Sequence, residues 1–233
     1  MTALPDLPGA PESRLAPGVL VPLPATTPAP PWPCRVQAVV WWHLAGPAAV
    51  AALPAALRAC ARLPLVGAPL VVGAMVRYLD SPVGPYDEVV AAVLHRPLRV
   101  HVPFLAVDSP ASLHGGRTHW ALPKALGAFR RREDGGGGVE GVAQGDGWRI
   151  AATALPRGPR LPVLGLLALD QVDAGGQRRT ARVSARGRAR PGRVLVQVGT
   201  DLAGRPGSIA GWLRSGRHPG VVLTARLQVG SVL

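Results

Sequence analysis

The sequence predicts an α+β domain built mainly of antiparallel β-sheet. Stretches rich in β-forming residues outnumber helical ones, and turn signals separate them at short spacing. Strands and helices do not alternate as they do in a parallel βαβ sheet. The 233 residues are 48% hydrophobic but only 4% aromatic, so alanine, valine and leucine must supply most of a single sizeable core.

Residues 1–33 carry ten prolines, which oppose both regular helix and central strand. We predict an extended arm or disordered leader over residues 1–33 and a single folded domain over residues 34–233. The first residues lack the basic and apolar regions of a secretory signal, and the alanine-rich stretch 44–57 is too short to span a bilayer. We therefore expect a cytoplasmic protein with no membrane contact.

Local composition predicts the elements of the first half of the chain. β-forming residues favour strands, and Pro54 limits or kinks an alanine-rich helix. The predicted elements are a strand over 36–42, a helix over 48–62, a strand over 70–78, a turn over 81–85 and strands over 88–94 and 98–107.

The second half is divided by glycine-rich turns. Residues 132–138 read REDGGGG and predict a hairpin tip, and residues 145–147 predict a second turn. Strands are expected over 139–142, 148–155 and 193–198, with a short helical turn over 209–213. Alternating apolar residues over 220–232 predict a final half-buried strand.

Lys124 is the only lysine in the chain, among 25 arginines. Arginine can replace lysine wherever a positive charge is sufficient, but a guanidinium does not deprotonate in proteins and cannot attack a carbonyl. Lys124 is therefore a candidate nucleophile. Chance retention of one lysine in an arginine-biased chain is the competing explanation.

Three segments near Lys124 form a recognisable pattern. They read GPYDEVV over 84–90, PFLAVD over 103–108 and GRTHWALPK over 116–124. Together they resemble the acetoacetate decarboxylase family, whose most specific motif is Gly-Arg-Glu, four variable residues and Pro-Lys. The spacing matches this motif, but Thr118 replaces the glutamate.

The resemblance implies an acetoacetate decarboxylase-like β-barrel or sandwich with a few short helices, assembled as a homo-oligomer. It implies that Lys124 forms a Schiff base with a small β-keto acid, without metal or organic cofactor. Of the two glutamates in the family's pocket, one matches Glu88 and the other falls near Gly73. Ala125 replaces the second lysine of the decarboxylases.

Five residues are predicted to form the site. Lys124 and Glu88 are assigned to catalysis, with Glu88 moving protons or positioning the substrate. Arg117 is assigned to a substrate carboxylate, although a structural ion pair explains it equally well. His119 and Trp120 are expected to line the pocket. An amine attacks a ketone only when it is unprotonated, and with Ala125 next to Lys124 we expect burial to favour the neutral form.

Three alternatives remain open. The same imine supports aldol, retro-aldol or dehydration chemistry, and the changes at Gly73 and Ala125 also allow a non-catalytic member that only binds a small ligand. The net charge of +13 and the arginine-rich stretch 178–193 favour attraction to anions. Nucleic-acid binding is the least favoured reading, because that stretch has no aromatic residue for base stacking. No His, Cys or acidic spacing is typical of a metal site.

Overall fold

The structure is a computed structural model that describes residues 4, 6–15, 23–59, 61 and 69–233. Strands dominate it, and helices are few and short, as the sequence predicts. The strands are β1 (Trp32–Leu44), β2 (Leu70–Asp80), β3 (Tyr86–Arg96), β4 (Arg99–Val107), β5 (Lys124–Leu126), β6 (Ala128–Glu133), β7 (Val139–Gly145), β8 (Trp148–Pro156), β9 (Leu161–Val172), β10 (Arg178–Thr200) and β11 (Gly216–Val232). The helices are α1 (Pro47–Ala51), α2 (Ala55–Arg58) and α3 (Pro110–Trp120), with single 3-10 turns at Pro11–Ser13 and Ile209–Gly211.

The strands form one sheet in the order β11-β1-β2-β3-β4-β9-β10-β8-β7-β6, and β5 pairs with β4. All pairings are antiparallel except those of β4 with β5 and with β9. The long strand β10 also pairs with β11, so the sheet turns back on itself. The result is a sandwich-like, mainly antiparallel fold rather than a clean barrel.

The two faces of the sheet bury two hydrophobic clusters. Alternation along β1 sends Trp41 into one of them and Trp32 into the other. We call the first the Trp41 cluster, which includes Phe104, and the second the Tyr86 cluster. The members of the Tyr86 cluster used below are Trp32, Cys34, Tyr78, Tyr86, Leu113 and Trp120.

The alanine-rich helix predicted over 48–62 is divided into α1 and α2. The break occurs at Pro54, the N-cap residue of α2. Proline has no N–H to donate, so a continuous helix cannot keep its hydrogen bonds through this position. Residues 60 and 62–68, the end of the predicted helix included, lie outside the described residues. In the part of the chain that is described, no helix is long and apolar enough to cross a membrane.

Part of the proline-rich arm packs on the domain. Ala10 is buried, and its backbone N–H donates to the Pro103 carbonyl at 2.7 Å. The buried Glu12 carboxylate accepts hydrogen bonds from the Ser208 hydroxyl at 2.6 Å and the Ile209 N–H at 3.2 Å. Residues 1–3, 5 and 16–22 of the predicted leader lie outside the described residues, and a domain boundary at residue 34 stays a prediction.

A buried polar group joins β4, β9 and β10. The Asp170 carboxylate accepts hydrogen bonds from Arg99, Arg178 and Thr180, and His101 Nδ1 donates to the Asp170 carbonyl at 2.9 Å. Burial works to raise the pKa of Asp170, but these hydrogen bonds outweigh it and leave the pKa below its ordinary value. Burial lowers the pKa of His101 to about 4.

We expect acid to destabilise the fold through His101. His101 has its pKa lowered from 6.5 to about 4 in the folded state, so the unfolded chain binds more protons between these pH values. The free energy of unfolding should fall as the pH drops through this window, by about 3 kcal/mol from this residue. Urea unfolding at several pH values measures the slope, which should be shallower in His101→Gln. An unchanged slope in this variant would contradict the assignment.

Candidate active site

Helix α3 and strand β5 together deliver Lys124 to the Tyr86 cluster. Ser109 is the N-cap of α3, where its side-chain oxygen accepts from the Ser112 N–H at 3.2 Å, and Pro110 follows as the first helical residue. The helix ends at Ala121, which has a left-handed φ of 53°. The chain then turns so that Lys124 enters β5 opposite Leu105 of β4.

The Lys124 amine is buried and fully surrounded by polar partners. Lys124 is 3% exposed, and its Nζ donates to Glu88 Oε2 and to Ser112 Oγ, both at 2.9 Å. The same nitrogen lies 5.4 Å from the centre of the Tyr86 ring, a distance suited to a cation–π contact. The two predicted catalytic residues are therefore in direct contact.

Two tyrosines complete the surroundings of Glu88. The Tyr78 hydroxyl donates to Glu88 Oε1 at 3.1 Å, so both carboxylate oxygens have a donor. The Tyr78 and Tyr86 rings are stacked with centroids 4.1 Å apart, because the two residues are cross-strand partners on β2 and β3. Burial, followed by the Glu88 charge, raises the pKa of each tyrosine well above its ordinary value. Both hydroxyls therefore stay protonated at neutral pH.

Gly116 and Arg117 of the motif position the lysine. A Cβ at Gly116 would collide with Cδ and Cε of Lys124, so glycine leaves the space in which the Lys124 side chain packs against α3. The buried Arg117 donates from Nη1 to the Lys124 carbonyl at 2.8 Å, and burial lowers its pKa. The structure thus gives Arg117 a contact with the lysine backbone, where the sequence assigned it to a substrate carboxylate.

His119 and Trp120 have structural partners. His119 Nε2 lies 3.0 Å from Thr27 Oγ1 in the arm, and burial lowers the pKa of its ring. The Trp120 indole donates to the Gly230 carbonyl at 2.8 Å and packs edge-on against Trp32. Among the described residues, the Lys124 amine contacts Glu88, Ser112 and the Tyr86 ring. The assignment of His119 and Trp120 to substrate binding stays a prediction.

Strand parity changes the meaning of the two departures from the family pattern. Gly73 lies on the opposite face of β2 from Tyr78, and a Cβ there would collide with the Trp41 ring. A glutamate at Gly73 would therefore point away from Lys124, and Tyr78 is the β2 residue that reaches Glu88. Ala125 likewise faces the Trp41 cluster, so a second lysine at this position would not lie beside the amine.

Sequence reasoning missed Ser112, Tyr78 and Tyr86. Ser109-Pro110 is a helix-start signal that would have predicted α3. With that helix in place, Ser112 and Gly116 share one face because they are four residues apart. The tyrosines lie close on either side of the predicted turn over 81–85, where a hairpin brings two strands together.

Cys34 also lies in the Tyr86 cluster, where its surroundings oppose formation of the thiolate. It is buried, and burial followed by the Glu88 charge raises the pKa of its thiol to about 12. A nucleophilic cysteine requires a thiolate, which this environment opposes. Cys60 lies outside the described residues.

Lys124 is only 3% exposed, so little of its side chain reaches the surface. Four clefts on the described surface have volumes of about 690, 20, 460 and 570 Å³, and their linings do not include Lys124. Glu88 lines the smallest of them, and Cys34 lines the fourth. No group of three or more His, Cys, Asp or Glu side chains in the described ranges is arranged to hold a metal ion.

The sequence model for acetoacetate decarboxylase matches residues 21–163. The chain belongs to the acetoacetate decarboxylase family. The match covers most of the chain and includes Glu88 and the Gly116–Lys124 motif, so the predicted resemblance is confirmed. No curated protein matches the sequence.

Solved structures share the fold at low sequence identity. Acetoacetate decarboxylase from Legionella pneumophila is 19% identical with a TM-score of 0.67, over 92% of this chain and 93% of that one. The enduracididine biosynthesis enzyme MppR, complexed with pyruvate, is 18% identical with a TM-score of 0.63, over 90% and 91%. An acetoacetate decarboxylase-like enzyme from Sphingomonas wittichii is 16% identical with a TM-score of 0.56, over 92% and 97%. At these identities the likeness establishes the fold alone.

We expect Gly116→Ala to displace the Lys124 side chain. Alanine favours a helix over glycine by about 1 kcal/mol, so a loss of stability would report the collision with Lys124 rather than helix propensity. The unfolding midpoint in urea should fall, whereas Thr118→Ala, an exposed position on the same helix, should leave it nearly unchanged. A Gly116→Ala protein as stable as the parent would contradict the close approach.

Proposed function

We propose that this protein is a lysine-imine enzyme that acts on a small keto acid, with decarboxylation of a β-keto acid as the leading reaction. The observation that carries the proposal is the 2.9 Å contact between the buried Lys124 amine and Glu88. This contact supports the proposal because the residue that matches the family's lysine lies beside a carboxylate able to accept its proton. No metal or organic cofactor enters the proposed reaction.

Glu88 is the group that makes the amine reactive. An ammonium beside a carboxylate is favoured over a neutral amine, so Lys124 must pass a proton to Glu88 before it attacks. The transfer runs along the Nζ–Oε2 hydrogen bond, and the hydrogen bond from Tyr78 holds the carboxyl group in place. The expectation that burial alone frees the amine is therefore replaced by proton transfer within a buried pair.

Imine formation and decarboxylation then take place at the Lys124 nitrogen, with Glu88 carrying the proton. Neutral Lys124 adds to the ketone carbon, and the carbinolamine loses water as protonated Glu88 returns its proton. The iminium nitrogen then accepts the electron pair of the bond to the carboxylate, which leaves as carbon dioxide and gives an enamine. Protonation of the enamine carbon and hydrolysis release the ketone and restore Lys124. In the structure, Ser112 Oγ lies 2.9 Å from this nitrogen and the centre of the Tyr86 ring lies 5.4 Å from it.

A second reaction class is supported by the site and by one of the similar structures. MppR has been solved with pyruvate and with the condensation product of pyruvate and imidazole 4-carboxaldehyde. Here, Tyr78 supplies a neutral hydroxyl beside Glu88, a group suited to proton transfer during aldol or dehydration steps. The imine is common to both classes, and the fate of the enamine separates them.

Borohydride trapping tests the shared step. The protein is incubated with acetoacetate or with pyruvate, reduced, and digested for mass spectrometry. We expect the mass of the reduced imine on Lys124, because the amine is the chain's only lysine side chain. Lys124→Arg is the matched control, since it keeps a positive charge beside Glu88 but cannot form an imine.

The same samples separate the candidate reactions. An adduct together with release of carbon dioxide from acetoacetate supports decarboxylation. An adduct without carbon dioxide, and consumption of pyruvate with an aldehyde, supports the condensation class. A folded protein that forms no adduct with any keto acid would overturn both and leave the non-catalytic ligand-binding alternative.

A further inference from the structure

One cleft of the described surface is lined by arginines. It has a volume of about 690 Å³ and lies on the face of the sheet away from the Lys124 amine, where β1, β10 and β11 meet β6. Seven arginines line it: Arg35, Arg131, Arg160, Arg186, Arg188, Arg190 and Arg226. Its carboxylate is Glu133, which is already paired with Arg131 at 2.9 Å. The cleft therefore carries a large excess of positive charge.

Three of these arginines form a row across three neighbouring strands. Arg186 of β10 is the direct register partner of Arg226 of β11, and Arg226 is the direct partner of Arg35 of β1. Direct partners on one sheet face have Cβ atoms about 5 Å apart, and like charges in this arrangement are destabilising. Asp80, at the end of β2, is the next residue in register after Arg35.

Asp80 is the register partner of Arg35 but forms no salt bridge with it, so the row has no paired carboxylate among the described residues. Among the described residues, no carboxylate lies within 4 Å of the guanidinium of Arg35, Arg186 or Arg226. By contrast, Arg99 and Arg178 neutralise Asp170, and Arg179 neutralises Asp173. On β10, Arg178 and Arg179 at the start of the strand are thus paired with carboxylates, whereas Arg186 in the cleft is not.

The shape and chemistry of the cleft define the kind of anion that fits. A volume of 690 Å³ lies in the range of small-molecule sites rather than of an extended polymer groove. Guanidinium groups bind phosphate oxygens in a bidentate way, and arginines whose Cβ atoms lie about 5 Å apart on neighbouring strands suit a ligand with several phosphate groups. No aromatic side chain lines the cleft to stack a nucleic-acid base.

We propose that this arginine-lined cleft is a binding site for a small ligand that carries several phosphate groups. The ligand neutralises the Arg35–Arg226–Arg186 row and thereby stabilises the folded protein. The site is separate from Lys124, so its occupancy does not depend on the imine chemistry.

Calorimetry with inorganic triphosphate tests the site at physiological ionic strength. We expect saturable binding to the full chain and a rise in the thermal unfolding midpoint. The double variant Arg186→Gln/Arg226→Gln should weaken binding by at least about tenfold, because two charge-assisted contacts are lost. Arg149→Gln/Arg205→Gln removes the same charge from exposed positions outside the cleft, and it should change affinity by less than about twofold.

Three outcomes would overturn the proposal. The first is the absence of saturable triphosphate binding. The second is an equal loss in both double variants, which would reduce the effect to net charge. The third is tighter binding of a single-stranded RNA or DNA oligonucleotide than of triphosphate, with the same loss on Arg186→Gln/Arg226→Gln, which would assign the cleft to nucleic acid.

Discussion

The ion pair between Lys124 and Glu88 is the interaction on which the rest of the site depends. Both side chains are buried in the Tyr86 cluster, where an unpaired charge would be strongly unfavourable. The neighbouring residues each serve this pair. Ser112 and Tyr78 supply the remaining hydrogen bonds, Gly116 leaves room for the lysine side chain, and Arg117 holds its backbone carbonyl. The motif over residues 116–124 thus holds the Lys124 amine beside the Glu88 carboxylate.

The same pair sets the chemical problem that the proposed enzyme must solve. A close carboxylate secures the amine, but it also favours the charged form that cannot attack a ketone. In the proposed reaction, transfer of the proton to Glu88 resolves this conflict without a second lysine, and the corresponding position, Ala125, faces the Trp41 cluster. Tyr78 and Tyr86 remain neutral donors, because burial and the Glu88 charge raise their pKa values. In the proposed reaction, the proton that moves is therefore the one between Lys124 and Glu88, while both tyrosines stay protonated.

Sequence reasoning predicts what is local or repeated. Stretches of β-forming residues between turn signals predict most strands, and the lone lysine with the family motif predicts Lys124 and Glu88. What it missed depends on partners distant in the chain. Helix α3 has weak amphipathic character, since Ser112, Gly116 and Arg117 are buried on it together with two large apolar residues. Pro162 and Gly165 weaken the sequence pattern that would have predicted β9. The alternating arginines of β10 indicate an exposed strand, but their partners Arg226 and Arg35 are identified only by the sheet order.

A double-mutant cycle on the free energy of unfolding tests the buried pair most directly. The proteins are the parent, Lys124→Met, Glu88→Gln and the double variant, each unfolded in urea. Each single change leaves a buried partner without its counterpart and should destabilise the fold by about 3 kcal/mol, whereas the double variant should lose less than the sum of the two by about 2 kcal/mol or more. Losses that simply add would contradict the account, because they would mean that Glu88 does not hold the Lys124 amine.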